Sequence, residues 1–158
     1  INTNEYKIHQ PPMGHSASKP VEGDLIKPFA PSPDDNATIW TIRGRQQFLK
    51  MEMGGFGLIA KYQDAISSKD SLVVINPVEL TEKLIQELQV LQQETKCTID
   101  VVFSAGDWHH KHLISWSNQF PDAKIYVASD RVLKKQPLLK NPIVVDRLLP
   151  VIPELKQD

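Results

Sequence analysis

The sequence lacks the features that mark a membrane protein, a disulfide-rich secreted domain or a nucleic-acid-binding protein. It has a single cysteine, Cys97, which cannot form an internal disulfide and which we expect to be buried. No apolar run approaches the roughly 18 residues that a membrane-spanning helix needs. The formal net charge is -1 and the cationic residues are dispersed, so neither nucleic acid nor a membrane is an expected partner. The N-terminal residues lack the apolar core of a signal peptide, which predicts a cytoplasmic protein.

The remaining composition is that of an ordinary globular domain. Apolar residues make up 41% and charged residues 23% of the 158 residues, the size of one domain. Residues 1–37 are rich in proline, contain few apolar residues and show no clear period, which predicts an irregular arm. Residues 38–158 are predicted to form the ordered domain.

Short apolar segments, several of them rich in β-branched residues, predict a series of strands. The predicted strands cover residues 39–42, 58–62, 72–75, 99–103, 124–128 and 143–145. The glycines at 54, 55 and 57 are not followed by a helix or by a Gly-Lys-Ser/Thr ending. They therefore predict a bend or bulge rather than a phosphate-binding loop.

Two helices are predicted between these strands. Asn76-Pro77 with Glu79 is typical of a helix start, and we expect that helix to continue to about residue 95. The helix is predicted to bury one stripe of leucines at Leu80, Leu84, Leu88 and Leu91. A second helix is predicted over residues 108–119, with tryptophans 108 and 116 as core anchors. Alternating strands and helices after antiparallel strands predict an α/β (α+β) fold with a mixed sheet and packed helices.

The candidate site is a histidine-rich turn between a strand and the second predicted helix, with the sequence Asp107-Trp108-His109-His110-Lys111-His112. Ligands collect at the carboxyl ends of strands in sheets of this kind. Asp107, His109 and His110 are residue types that bind zinc or iron, so one such ion is a candidate cofactor. No histidine follows His112, and a complete metal site would need ligands from elsewhere in the fold.

Two other interpretations of the turn remain open. On an early helical turn, His109 and His112 share a face while His110 points about 100° away. These two imidazoles could act without a metal as general acid and base, because an imidazole titrates near neutral pH. Alternatively, the histidines only hydrogen-bond and orient the turn, and no cofactor is bound.

The run from residue 39 to about residue 132 resembles a mostly uncharacterised branch of the metallo-β-lactamase superfamily. The similarity consists of paired histidines after a strand, a helix, and then Phe120-Pro121-Asp122-Ala123 before the next strand. The superfamily signature is His-x-His-x-Asp-His, and this chain has Ala105, Asp107, His109 and His110 at the four ligand positions. The resemblance implies a mononuclear or rearranged metal site, or none.

The resemblance also implies a fold and a class of activity. The superfamily fold is an αββα sandwich of two halves, and this chain corresponds to about one half. A second chain or a homo-oligomer is therefore expected to complete it, and the chain alone is not expected to be a stable monomer. The implied function is hydrolysis of a small-molecule ester, lactone, amide or thioester. The alternatives are a metal-free isomerase or cyclase, and a non-catalytic partner-binding subunit.

Overall fold

The computed structural model describes residues 23–29, 38–45, 47–48, 51–52, 54–64 and 67–145. No helix in these residues is long and apolar enough to cross a membrane. In chain order the elements are β1 (Ile26–Pro28), β2 (Ile39–Gly44), β3 (Gln47–Phe48), β4 (Met51–Glu52), β5 (Gly55–Gln63), β6 (Asp70–Ile75), α1 (Glu82–Thr95), β7 (Thr98–Ser104), α2 (Leu113–Gln119), β8 (Lys124–Val127), α3 (Asp130–Lys135) and β9 (Ile143–Val144).

Seven of these strands form one mixed sheet in the order β1-β2-β5-β6-β7-β8-β9, while β3 and β4 form a separate hairpin. The pairs from β1 to β6 are antiparallel. The pairs from β6 to β9 are parallel, because α1, α2 and α3 carry the chain back between successive strands. The mixed sheet with packed helices confirms the predicted fold class.

Strand β1 lies inside the stretch that the proline content predicted to be irregular. Ile26–Pro28 pairs with β2, and the backbone N–H groups of Leu25 and Ile26 both donate to Glu87 Oε2 at 2.8 Å. Leu25 is buried against the core. Pro28 is compatible with this position because β1 is an edge strand, where one missing N–H donor costs no sheet hydrogen bond.

The hydrophobic core lies on one face of the sheet, beneath the three helices of the described residues. Alternate side chains of the strands, among them Ile42, Ile59 and Val102, are fully buried there. The predicted leucine stripe of α1 is confirmed, with Leu84, Leu88 and Leu91 buried, and Leu80 packs beside it ahead of the helix. Cys97 is also buried, as expected. Each fully buried leucine contributes about 1.5–3 kcal/mol relative to an exposed one.

The opposite side of the sheet is not covered by any described helix. We call it the open face; its central side chains are Leu58, Tyr62, Val73, Phe103 and Tyr126, which alternate with core residues along β5 to β8. All but Leu58 line a depression of about 880 Å³. This depression is therefore on a sheet face and not at the histidine-rich turn.

Helix α1 begins later than the sequence indicated. Its N-cap is Thr81, whose hydroxyl accepts a hydrogen bond from the N–H of Leu84 at 3.2 Å. The prediction of Asn76 as N-cap is wrong because Asn76 has φ 54°, in the left-handed region, whereas an N-cap is typically extended. Asn76 instead ends the β6 segment and has a role at the candidate site.

Candidate functional site

The candidate site lies at the carboxyl end of β7, where the chain leaves the parallel part of the sheet. We call residues 105–112 the histidine turn. Its central residues form consecutive turns, and α2 begins only at Leu113, so the helix predicted from residue 108 starts five residues later. The turns are held by hydrogen bonds from the His109 N–H to the Gly106 carbonyl and from the Leu113 N–H to the His110 carbonyl.

Asn76 connects the end of β6 to the histidine turn. Its side-chain Oδ1 accepts a hydrogen bond from the Ala105 N–H at 3.0 Å, and its own N–H donates to the Phe103 carbonyl at 2.8 Å. Gly57 on β5 makes room for this arrangement, since a Cβ at that position would lie 2.4 Å from the Asn76 carbonyl oxygen. The hydrogen bonds of Asn76 to the histidine turn were not predicted from the sequence. The features that indicate them are an asparagine directly after a strand and a glycine in the neighbouring strand.

The carboxylate of Asp107 joins the histidine turn to the start of α3. Ser129 donates its hydroxyl to Asp107 Oδ1 at 2.6 Å, and Arg131 Nη1 lies 3.6 Å from Oδ2. Ser129 is also the N-cap of α3, where its hydroxyl oxygen accepts from the Arg131 N–H. In the described residues the Asp107 carboxylate therefore serves to hold α3 against the turn.

His110 is oriented by the backbone of the same turn. Its Nδ1 lies 2.7 Å from the Asp107 carbonyl oxygen. A carbonyl oxygen can only accept, so Nδ1 carries a proton, and in the neutral ring the lone pair is then on Nε2. Lys135 Nζ donates to the same carbonyl at 3.2 Å and lies 5.3 Å from the centre of the Trp108 ring.

The two tryptophans near the site have different environments. Trp116 is fully buried, as predicted, and its Nε1–H donates to the Val78 carbonyl at 2.7 Å. Trp108 is 73% exposed, so its prediction as a core anchor is wrong. Because residue 108 lies in the turn and not on a helix, its ring projects to the surface beside Lys135.

His109 and His112 line one small cleft at the edge of the turn. The cleft has a volume of about 10 Å³, close to the space that one water molecule occupies. Its other polar or aromatic lining residues are Arg45, Phe56, Asn76, Trp108 and Lys111. The sequence predicted that His109 and His112 share one face of a helical turn. In the structure the two side chains line one cleft, but the backbone there forms consecutive turns and not a helix.

His112 is the titratable group of this cleft with a shifted pKa. Burial, assisted by the positive charge of Lys111, lowers the pKa of His112 below its ordinary value of 6.5, and Glu79 opposes this shift. A half-buried imidazole with a lowered pKa is neutral at pH 7 and can accept a proton.

The described side chains do not by themselves form a metal site. Among them, no three His, Cys, Asp or Glu residues are grouped so that they could hold an ion. Of the predicted ligands, Asp107 is bonded to Ser129, His110 is bonded through Nδ1 to a carbonyl, and His109 lines the cleft. Metal binding by these three residues stays a prediction.

Solved structures with a related fold were found by comparison of coordinates. The metallo-β-lactamase IND-7 aligns over 79% of this chain and 54% of its own, with a TM-score of 0.52 and 13% identity. A metallo-β-lactamase from Pontibacter korlensis aligns over 75% of this chain and 51% of its own, with a TM-score of 0.50 and 13% identity. The chain has a metallo-β-lactamase-like fold.

This metallo-β-lactamase-like chain spans about half the length of the two solved structures that it matches. At 13% sequence identity, the similarity to these two structures is a similarity of backbone fold. No protein-family model and no curated protein matches the sequence. These structures therefore show the fold alone, and the activity of the chain has to be argued from its own residues.

Proposed function

We propose that the histidine turn is the acid–base part of an active site for a small-molecule substrate. In this proposal His112 is the general base and His109 is the second proton-transfer group. The observation that supports it is the half-buried imidazole of His112, with its lowered pKa, in the cleft that His109 also lines. Both side chains lie at the carboxyl edge of a parallel sheet segment, where substrates bind in related architectures.

The surroundings of the cleft favour a substrate with an anionic or carbonyl oxygen. Arg45 and Lys111 line the same cleft and supply positive charge, which stabilises negative charge that develops on oxygen during proton transfer. The cleft admits only a group of about the size of a water molecule, so the bulk of a substrate would lie outside it. The exposed rings of Phe56 and Trp108 line the cleft and offer an apolar surface there.

The proposed reaction class is proton abstraction by a neutral imidazole, as in isomerisation, cyclisation or elimination. Positioned general bases contribute about 10²–10⁴-fold to a rate. We therefore expect His112→Gln to lower kcat by at least about 100-fold for any substrate found in a screen of enolisable carbonyl compounds. The rate of the parent protein should fall as the pH drops through the pKa of His112. Lys134→Gln, an exposed change on α3, is the matched control.

A direct titration tests the same proposal without a known substrate. The His112 ring signals in an NMR titration should report a pKa below 6.5. Acetate or inorganic phosphate should shift the ring signals of His109 and His112 if Arg45 and Lys111 attract anions to the mouth of the cleft. Ordinary titration of His112 together with no response to either anion would contradict the proposal.

Metal-dependent hydrolysis of an ester, lactone, amide or thioester is the second candidate. The orientation of His110 favours it, since a ring held through Nδ1–H by a carbonyl, with Nε2 available, is the arrangement found for metal-ligating histidines. One zinc or iron ion would require donors in addition to the described ones. Metal analysis of protein purified without chelator or affinity nickel separates the two candidate functions. Near one equivalent of bound zinc or iron per chain, lost in His110→Ala, supports metal-dependent hydrolysis. Activity that survives treatment with chelators supports the imidazole mechanism.

A further inference from the structure

Two exposed aromatic rings flank the mouth of the cleft. Among the phenylalanine and tryptophan side chains that the structure describes, three are exposed, namely Phe29, Phe56 and Trp108. Phe56 and Trp108, which are 63% and 73% exposed, both line the cleft that His109 and His112 line. The two rings come from separate elements, β5 and the histidine turn. The apolar part of a ligand held at the cleft would therefore contact these two rings.

The Trp108 ring is restrained by the turn that carries it. Lys135 Nζ lies 5.3 Å from the centre of the ring and donates a hydrogen bond to the Asp107 carbonyl at 3.2 Å. The same carbonyl is bonded to His110 Nδ1, so Lys135 is attached to the turn while it contacts the ring. Lys135 is not among the residues that line the cleft, so the part of the ring at the cleft remains available to a ligand.

The polar lining of the cleft indicates the charge of that ligand. The lining includes Arg45 and Lys111, and no lining residue is acidic. Glu79, whose carboxylate acts electrostatically on His112, is not part of the lining. A ligand at the mouth of the cleft therefore meets positive charge next to aromatic surface. An anionic oxygen attached to a planar ring is complementary to both.

We propose that the site selects a substrate with a planar aromatic ring beside its enolisable carbonyl or carboxylate group, and that this ring stacks on Trp108. The inference rests on the proposed acid–base function of the turn and adds a substrate class to it. The cleft holds about one water molecule, so such a ligand lies across its mouth, where the exposed rings are. Trp108 directly precedes His109 in the chain, which places the stacked ring next to a proton-transfer group. Lys135 is a positioning residue, since it acts on the ligand through Trp108.

Binding of three carboxylates to the full chain tests the inference. Acetate, cyclohexylacetate and phenylacetate carry the same anionic group, and only phenylacetate has a planar ring. Because an aromatic pair is stabilised beyond its buried area, we expect phenylacetate to bind about 2–10-fold more tightly than cyclohexylacetate. The NMR signals of the histidine rings and of the Trp108 indole N–H should shift together during the titration. Trp40 and Trp116 are buried, so acrylamide should quench mainly the fluorescence of Trp108, and bound phenylacetate should reduce this quenching.

Variants of the ring and of its neighbour separate stacking from charge attraction. Trp108→Leu should abolish the preference for phenylacetate and leave the response of the histidine rings to acetate unchanged. The exposure of Trp108 means that this substitution leaves the core intact, which circular dichroism checks. Lys135→Met should reduce the preference because the ring is no longer restrained, and Lys135→Arg, which keeps a cation, should restore it. Lys134→Gln, on the same helix, is the matched control.

The outcomes distinguish failure of this inference from failure of the proposed function. Equal affinity for phenylacetate and cyclohexylacetate, no binding of phenylacetate, or a preference that survives in Trp108→Leu overturns the inference. A shift of the Trp108 signal without a shift of either histidine also overturns it, because the ring then binds away from the acid–base groups. Trp108 fluorescence that acrylamide does not quench in the free chain overturns it as well, since other residues then cover the ring. The pKa of His112 and the response to acetate, measured in the same samples, decide the proposed function separately.

Discussion

Substitution of Asn76 should show how far the histidine turn depends on the end of β6. Asn76→Ala removes the hydrogen bond from the Ala105 N–H, which contributes about 0.5–1.5 kcal/mol. It also places alanine at φ 54°, which costs about 1 kcal/mol more than asparagine there. The sum is a loss of about 2 kcal/mol in the free energy of unfolding, or roughly 4–8 °C in Tm for a domain of this size.

Two further variants divide this loss into its parts. Asn76→Gly also loses the side-chain acceptor but adopts positive φ without steric cost, so it should be about 1 kcal/mol more stable than Asn76→Ala. Asn76→Asp keeps an acceptor oxygen and should retain slow amide hydrogen exchange at Ala105. Urea unfolding at one fixed protein concentration gives the free energies. The reasoning is refuted if Asn76→Ala lies within about 0.5 kcal/mol of the parent, or if glycine and alanine destabilise equally.

Three other predictions concern the same region. Gly57→Ala should cost about 2 kcal/mol, because its Cβ forces the Asn76 carbonyl away; an unchanged urea midpoint would contradict this. Trp116→Phe should cost about 1–3 kcal/mol by leaving the buried Val78 carbonyl without its donor, and a cost below about 0.5 kcal/mol would argue against that bond. Since the folded-state pKa of His112 lies below 6.5, the unfolded chain binds the proton first as pH falls, and stability decreases below about pH 6.5. His112→Gln should flatten this decrease, as measured by the difference in unfolding free energy between parent and variant at pH 7 and pH 5.

The sheet and the main core helix could be predicted because their patterns are local and periodic. The strands that became β2, β5, β6, β7, β8 and β9 were all located by their apolar and β-branched residues. The leucine stripe of α1 was located by its spacing of three and four. Burial on one face imposes these periods on the sequence, so they can be read without knowledge of the tertiary contacts.

The supports of the candidate site could not be predicted in the same way, because they depend on contacts between distant residues. Asn76 carries the sequence signal of a helix cap, yet its backbone is left-handed and its side chain holds Ala105. Asp107 looked like a metal ligand, while its partner Ser129 lies 22 residues further along the chain. Leu25 and Glu87, which fix β1, are 62 residues apart. No local pattern encodes these pairs.

The order of strands in the sheet has a consequence for how the site is assembled. Every neighbour in β1-β2-β5-β6-β7-β8-β9 follows its predecessor along the chain, so no strand has to insert between two that are already paired. The sheet can therefore grow in one direction during synthesis, with each strand joining the free edge left by the one before. The histidine turn emerges before Ser129, the residue that binds Asp107. The scaffold of the turn is thus completed only after β8 and the start of α3 have been made, late in the assembly of the sheet.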